Sequence, residues 1–153
     1  MTDTASSSST ADRALVATDV VAVATDRAPA AVGAYSQAVR AGDLVFVSGQ
    51  LPLVPATGEL AGPGVRDEAE QSLRNAAAVL EAAGSGIGSV VKTTVLLTDI
   101  DDFAVVNEAY AEVFSGEGRV LPARAAYAVA ALPKGARVEI ELVAVATRPV
   151  AAA

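Results

Sequence analysis

The chain has 153 residues, a formal net charge of −7, and neither His nor Cys. That length suits one domain, and the missing residue types exclude disulfides, thiolate or imidazole metal ligands, a thiol nucleophile and the usual imidazole base. The acidic balance, with Lys92 and Lys134 as the only lysines, argues against a nucleic-acid backbone or an anionic membrane surface as a partner. No apolar run reaches the roughly 18 residues needed to span a bilayer, so the expectation is a soluble, cytoplasmic protein. The 52% hydrophobic content rests heavily on 35 Ala, which bury little area. The working core must come from Val, Leu, Ile and the three Phe.

Residues 1–13 read as a disordered, Ser-rich extension, leaving 14–150 as a single domain. The Val-rich stretch Ala14 to Ala24 reads as a strand. Two further extended segments, Tyr35 to Arg40 and Leu44 to Val47, flank the turn Ala41-Gly42-Asp43. Leu51 to Gly64, rich in Pro and Gly, reads as an irregular loop. Val65, Ala69, Leu73, Ala76, Ala77 and Leu80 recur at helical spacing, and Ala83-Gly84 supplies a C-terminal stop. Val90 to Thr98 reads as a buried strand. Asp99, Asp101 and Asp102 then put negative charge at the N-terminus of a second helix. Its apolar stripe is Phe103, Val106, Tyr110, Val113 and Phe114. Ala125 to Ala131 and Arg137 to Thr147 read as the last two strands. The order predicts an α+β domain with two helices covering one face of a mixed sheet.

In the last strand Val138, Ile140, Leu142, Ala144 and Ala146 face one side; Arg137, Glu139, Glu141, Val143 and Val145 face the other. The second face, half charged and half apolar, suits a subunit interface holding a polar pocket.

Five places carry polar groups able to do chemistry. Arg124, after Leu121-Pro122-Ala123, is either a salt-bridge partner or a bidentate grip on a small carboxylate. Glu139 is either an ion-pair partner or, desolvated, a holder of a reactive water. Asn107 shares the apolar face of its helix and so needs a partner, in a loop or in a ligand. Ser48-Gly49 follows a strand where a bare amide can meet a ligand, or simply makes a turn. Tyr35 is either core or a hydroxyl offered to a pocket.

Taken together, the motifs are specific. Gly33-Ala34-Tyr35-Ser36-Gln37-Ala38-Val39, Val47-Ser48-Gly49-Gln50-Leu51-Pro52, Gln71-Ser72-Leu73-Arg74-Asn75, Val91-Lys92-Thr93-Thr94-Val95, Asp102-Phe103 with Asn107 and Tyr110, Pro122-Ala123-Arg124, and Leu132-Pro133-Lys134-Gly135 with Val138-Glu139-Ile140-Glu141 occur in order. In these blocks the chain closely resembles the RidA/YjgF family of reactive-intermediate deaminases over roughly residues 20 to 147. The resemblance implies a chorismate-mutase-like fold and a homotrimer whose sheets form a barrel-like centre, with ligand sites between subunits. It implies hydrolysis of 2-imino and enamine acids, such as 2-iminobutanoate and 2-iminopropanoate, to 2-oxo acids and ammonia, without a cofactor or metal. A non-catalytic module binding small carboxylates is the alternative. The family's carboxylate-binding arginine falls on Arg124 and its water-positioning glutamate on Glu139. Its pocket groups fall on Tyr35, Ser48, Gly49 and Asn107, with a backbone contact near Ala126. The family usually has Ser directly after the arginine and often Cys next; Ala125 and Ala126 stand there in this chain.

Overall fold

The computed structural model describes residues 20–150. The extension 1–13 and the first part of the strand expected from Ala14 lie outside the described residues. The strands are β1 Val20–Val23, β2 Ala38–Ala41, β3 Leu44–Gln50, β4 Val90–Leu97, β5 Ala123–Ala128 and β6 Val138–Val145; the helices are α1 Val65–Ala82 and α2 Phe103–Phe114. The strands form one sheet in the order β1-β2-β3-β6-β4-β5. All neighbours run antiparallel except β4 and β5, which are parallel. This is the mixed α+β sheet the sequence predicts.

Helix α1 ends where local chemistry satisfies its free backbone groups. The Asp67 carboxylate accepts the Gly64 N–H at 3.0 Å at the start of α1. At its end Gly84 adopts φ 76, and the Ser85 and Gly84 amides turn back onto Leu80 O (2.8 Å) and Glu81 O (3.1 Å). That is the Schellman arrangement, which a Cβ at Gly84 would strain. α1 packs on β6, β3 and α2. Ala69, Leu73, Ala76 and Leu80 of α1 bury against Val45, Val47, Val138, Ile140 and Leu142. Each fully buried Leu or Ile contributes about 1.5–3 kcal/mol relative to exposure.

The opposite face of the sheet has no helix over it among the described residues. Along β6, Val138, Ile140, Leu142 and Ala144 are buried, whereas Glu139, Glu141, Val143 and Val145 are half-buried or exposed. The alternation predicted for this strand holds. Phe46 and Leu44 of β3 pair with Val143 and Val145 and join that open face, with Phe46 45% exposed. The face mixes the carboxylates of Glu139 and Glu141 with exposed apolar side chains.

Three boundaries differ from the sequence reading. Tyr35 and Ser36 belong to a loop, because β2 starts only at Ala38, where pairing with Val47 begins. β3 continues past Val47 to Gln50. The register with β6 slips between Val47 and Gln50, so Ser48 and Gly49 together oppose Glu141: a β-bulge, not a loop. β5 runs from Ala123 to Ala128 instead of Ala125 to Ala131. Val129 makes one last bond to Leu97 O at 2.7 Å, and β4 ends there, leaving nothing further to pair with. Arg124 therefore lies inside a strand.

Candidate active site

Arg124 is the second residue of β5 and lies opposite Thr93 of β4. Thr93 is buried on the helix-covered side, and Arg124 reaches over that same side to α2. Its guanidinium carbon stands 4.6 Å from the ring centroid of Tyr110 and 5.4 Å from that of Phe103. Its Nη1 donates to Asn107 Oδ1 at 2.8 Å. Phe103, Asn107 and Tyr110 are spaced to share one face of α2. Each cation–π contact contributes about 0.5–2 kcal/mol, more as the site dries. The Tyr110 hydroxyl is hydrogen-bonded to Thr93 Oγ1 at 2.9 Å, which fixes the ring under the arginine. Burial raises the Tyr110 phenol above its ordinary pKa, opposed by the Thr93 bond and the positive charge of Arg124. Ala126 is half-buried and packs against the core on this side.

The remaining predicted residues form a second group. Ser48 Oγ donates to Ser36 O at 2.7 Å, and Ser48 N donates to Gln37 O at 3.0 Å. The bulge thereby holds the loop that carries Tyr35. Tyr35 itself is 54% exposed beside a cleft of about 500 Å³ that is also lined by Ala22, Ala24, Ala31 and Ser36. Gly49 lies against Glu139: a Cβ built on Gly49 would overlap the carboxylate and sit 2.7 Å from its Cδ. Only glycine leaves room for Glu139 here. Burial raises the Glu139 carboxyl above the ordinary glutamate range, and repulsion from Glu141 adds to the effect. Neither Arg124 nor Glu139 has a salt bridge among the described residues, so neither is spent on the ion pair that was the simpler reading of each.

Within one chain the two groups do not meet. Arg124 is on the helix-covered side, and Glu139 alternates with buried Val138 and Ile140 onto the open side. β4 separates their strands, a gap of about 10 Å. Glu139 and Tyr127 are both paired with Leu96, three residues (127 − 124) further along than Arg124. Tyr35 leads into β2, four strand spacings from β5, or about 19 Å. The structure thus brings Arg124, Asn107 and Ala126 together on one side and sets Gly49 against Glu139 on the other; Ser48 ties the loop that carries Tyr35 to the bulge, but the cleft Tyr35 lines includes neither Gly49 nor Glu139.

Sequence reading assigned Phe103 and Tyr110 to the core and passed over Thr93; these residues set the arginine. The available signal was Asn107, a polar residue flanked by aromatics on one helix face.

The profile of the Endoribonuclease L-PSP family matches residues 25–146. A rat protein named 2-iminobutanoate/2-iminopropanoate deaminase is 55% identical over 123 residues, covering 80% of this chain and 88% of the relative. The crystal structure of Escherichia coli TdcF with bound serine aligns with a TM-score of 0.78 at 43% identity, over 83% of this chain and 99% of that one. The structure of RidA from an Antarctic Psychrobacter aligns with a TM-score of 0.76 at 50% identity, over 82% and 98%. The family profile spanning both halves of the site and the identity shared with these relatives establish that the chain belongs to the Endoribonuclease L-PSP family, the RidA/YjgF group its own motifs resemble.

Proposed function

We propose that the protein hydrolyses 2-imino acids and their enamine tautomers to 2-oxo acids and ammonia, as the name of the rat relative describes for that protein. In this reading it works as a homotrimer. One subunit presents Arg124, Asn107 and the backbone at Ala126; its neighbour presents Tyr35, Ser48, Gly49 and Glu139. The observation that carries the reading is the separation of these residues onto opposite faces, each half with its functional group unpaired by any other charge. A half-polar, half-apolar open sheet face is the surface on which subunits would meet.

Arg124 takes the substrate carboxylate. Asn107 and the Tyr110 ring hold the guanidinium flat and leave its remaining N–H groups to form a paired fork. The serine in the TdcF structure is a small amino-acid carboxylate of the same kind. An enamine first gains a proton at C3 and loses one from nitrogen, becoming the imine. Glu139 then takes a proton from a water as its oxygen adds to C2 and passes that proton to the imine nitrogen, giving a neutral carbinolamine. In the second half Glu139 takes the hydroxyl proton and hands it to the amino nitrogen as the C2–N bond breaks, so nitrogen leaves as ammonia and C2 becomes a ketone. Imines hydrolyse in water unaided, so orientation of the water and proton transfer supply what is needed. A carboxyl with a raised pKa suits this exchange better than an ordinary glutamate.

The test is 2-oxo acid formation from an imine generated in place by a dehydratase, with and without added protein. Acceleration supports the proposal. Binding of a small carboxylate with no acceleration favours the carboxylate-binding module instead. RNA cleavage, which the family's name suggests, has no histidine to rely on and would face a net charge of −7.

A further inference from the structure

Glu68 is a carboxylate on α1 whose side chain is only 3% exposed. A buried charge is costly unless fully partnered, and among the described residues Arg137 partners this one on both oxygens. The Arg137 backbone N–H donates to Oε2 at 2.7 Å and its Nε to Oε1 at 2.8 Å, while Nη2 reaches Oε1 at 2.7 Å. The same Nη2 donates to Pro63 O at 2.9 Å, tying in the loop before α1. On its other side, Arg137 O accepts Thr98 N at 3.0 Å. The residue just before β6 is thus held by both its backbone groups and by the Nε and Nη2 of its guanidinium. Two positions later comes Glu139, whose carboxylate rests against Gly49.

We propose that Glu68 and Arg137 are positioning residues for Glu139. An amide just before a strand lies outside the ladder and needs a partner elsewhere. In this chain that amide, Arg137 N–H, is fastened to a carboxylate anchored in the core. The clamp fixes where β6 enters the sheet and so fixes the height of Glu139 beside the bulge. Arg124, on the far side of β4 and held by α2, makes no contact with the clamp, so the clamp acts on the water-handling step and leaves carboxylate binding alone. This inference rests on the proposed role of Glu139.

The experiment measures kcat and KM separately in Glu68→Gln, Arg137→Lys, Arg137→Met and Glu139→Gln. Glu68→Gln keeps an acceptor for the backbone amide and removes the ion pair. It is expected to lower kcat about tenfold or more while KM stays within about twofold, because small misplacements cost chemistry before binding. Arg137→Met gives the same pattern, and Arg137→Lys recovers most of kcat by restoring the charge. A damaging Glu139→Gln beside an unaffected Glu68→Gln and Arg137→Met overturns the clamp alone. An unaffected Glu139→Gln overturns both the clamp and the role of Glu139. If Glu68→Gln fails to fold, Arg137→Met and Arg137→Lys decide; kcat and KM worsening together in Arg137→Met, without rescue by lysine, marks a merely structural anchor and refutes the proposal.

Discussion

Arg124 and Asn107 form a 2.8 Å hydrogen bond between an edge strand and the helix above it, on the face of the sheet opposite Glu139. Asn107 accepts through an uncharged oxygen, so it orients the guanidinium without neutralising it. A carboxylate at the same place would do the opposite.

That contrast gives the first prediction. Asn107→Asp keeps the shape and the hydrogen bond but places a negative charge on Arg124. KM should rise about tenfold or more, corresponding to roughly 1.4 kcal/mol of competition for the guanidinium. Asn107→Ala should raise it less. Steady-state kinetics with both variants decides, and an unchanged KM in Asn107→Asp would remove Arg124 from the binding site.

Arg124 itself should tolerate no replacement. Arg124→Ala removes the charge-assisted bonds to the substrate carboxylate, each of about 1.5–3 kcal/mol, and kcat/KM should fall at least about 100-fold. Arg124→Lys keeps the charge but loses the guanidinium over the Tyr110 ring and the paired donors, so its kcat/KM should fall between those of the native protein and Arg124→Ala.

Gly49→Ala tests the other half. Its added methyl group overlaps the Glu139 carboxylate and must push it aside. The prediction is a fall in kcat of about tenfold or more with little change in KM. The fold should survive, because the obstructing atoms are the end of a flexible side chain. A fully active Gly49→Ala would mean that the present placement of Glu139 is unimportant.

The raised pKa of Glu139 has two signs to check. For activity, only the ionised carboxylate takes a proton from water, so kcat should drop as pH falls through a value above the ordinary glutamate range. Glu141→Gln removes the repulsion and should move that limb down. For stability, a raised carboxyl holds its proton more tightly folded than unfolded. Its contribution is complete below the ordinary value of 4.5 and is lost as pH rises through the raised one. Glu139→Gln should therefore raise Tm near neutral pH, and the gain should vanish in acid. Thermal melts across that range settle it.

The sequence carried the helices well. α1 and α2 bury one face each, and burial prints a 3.6-residue period on Val65 to Leu80 and on Phe103 to Phe114. β6 was as clear, because each buried residue alternates with an exposed one. β5 was not. Ala123, Ala125, Ala126 and Ala128 surround Arg124, and alanine gives the same signal on either face. The sidedness of Arg124 comes only from its register with Thr93 and its contact with α2. The bulge at Ser48-Gly49 was hidden for a different reason: its composition reads as a turn, and only the β6 partner shows that pairing resumes at Gln50.

In the proposed oligomer one active site joins Arg124 of one subunit to Glu139 of another, and subunit mixing reads this out. Arg124→Ala and Glu139→Gln proteins, each inactive alone, are unfolded together, refolded as a mixture and assayed for deamination. Random mixing into a closed ring leaves about a quarter of the sites with both native residues, so activity should return to about a quarter of the wild-type level. No recovery from properly reassembled mixed oligomers would contradict the shared site.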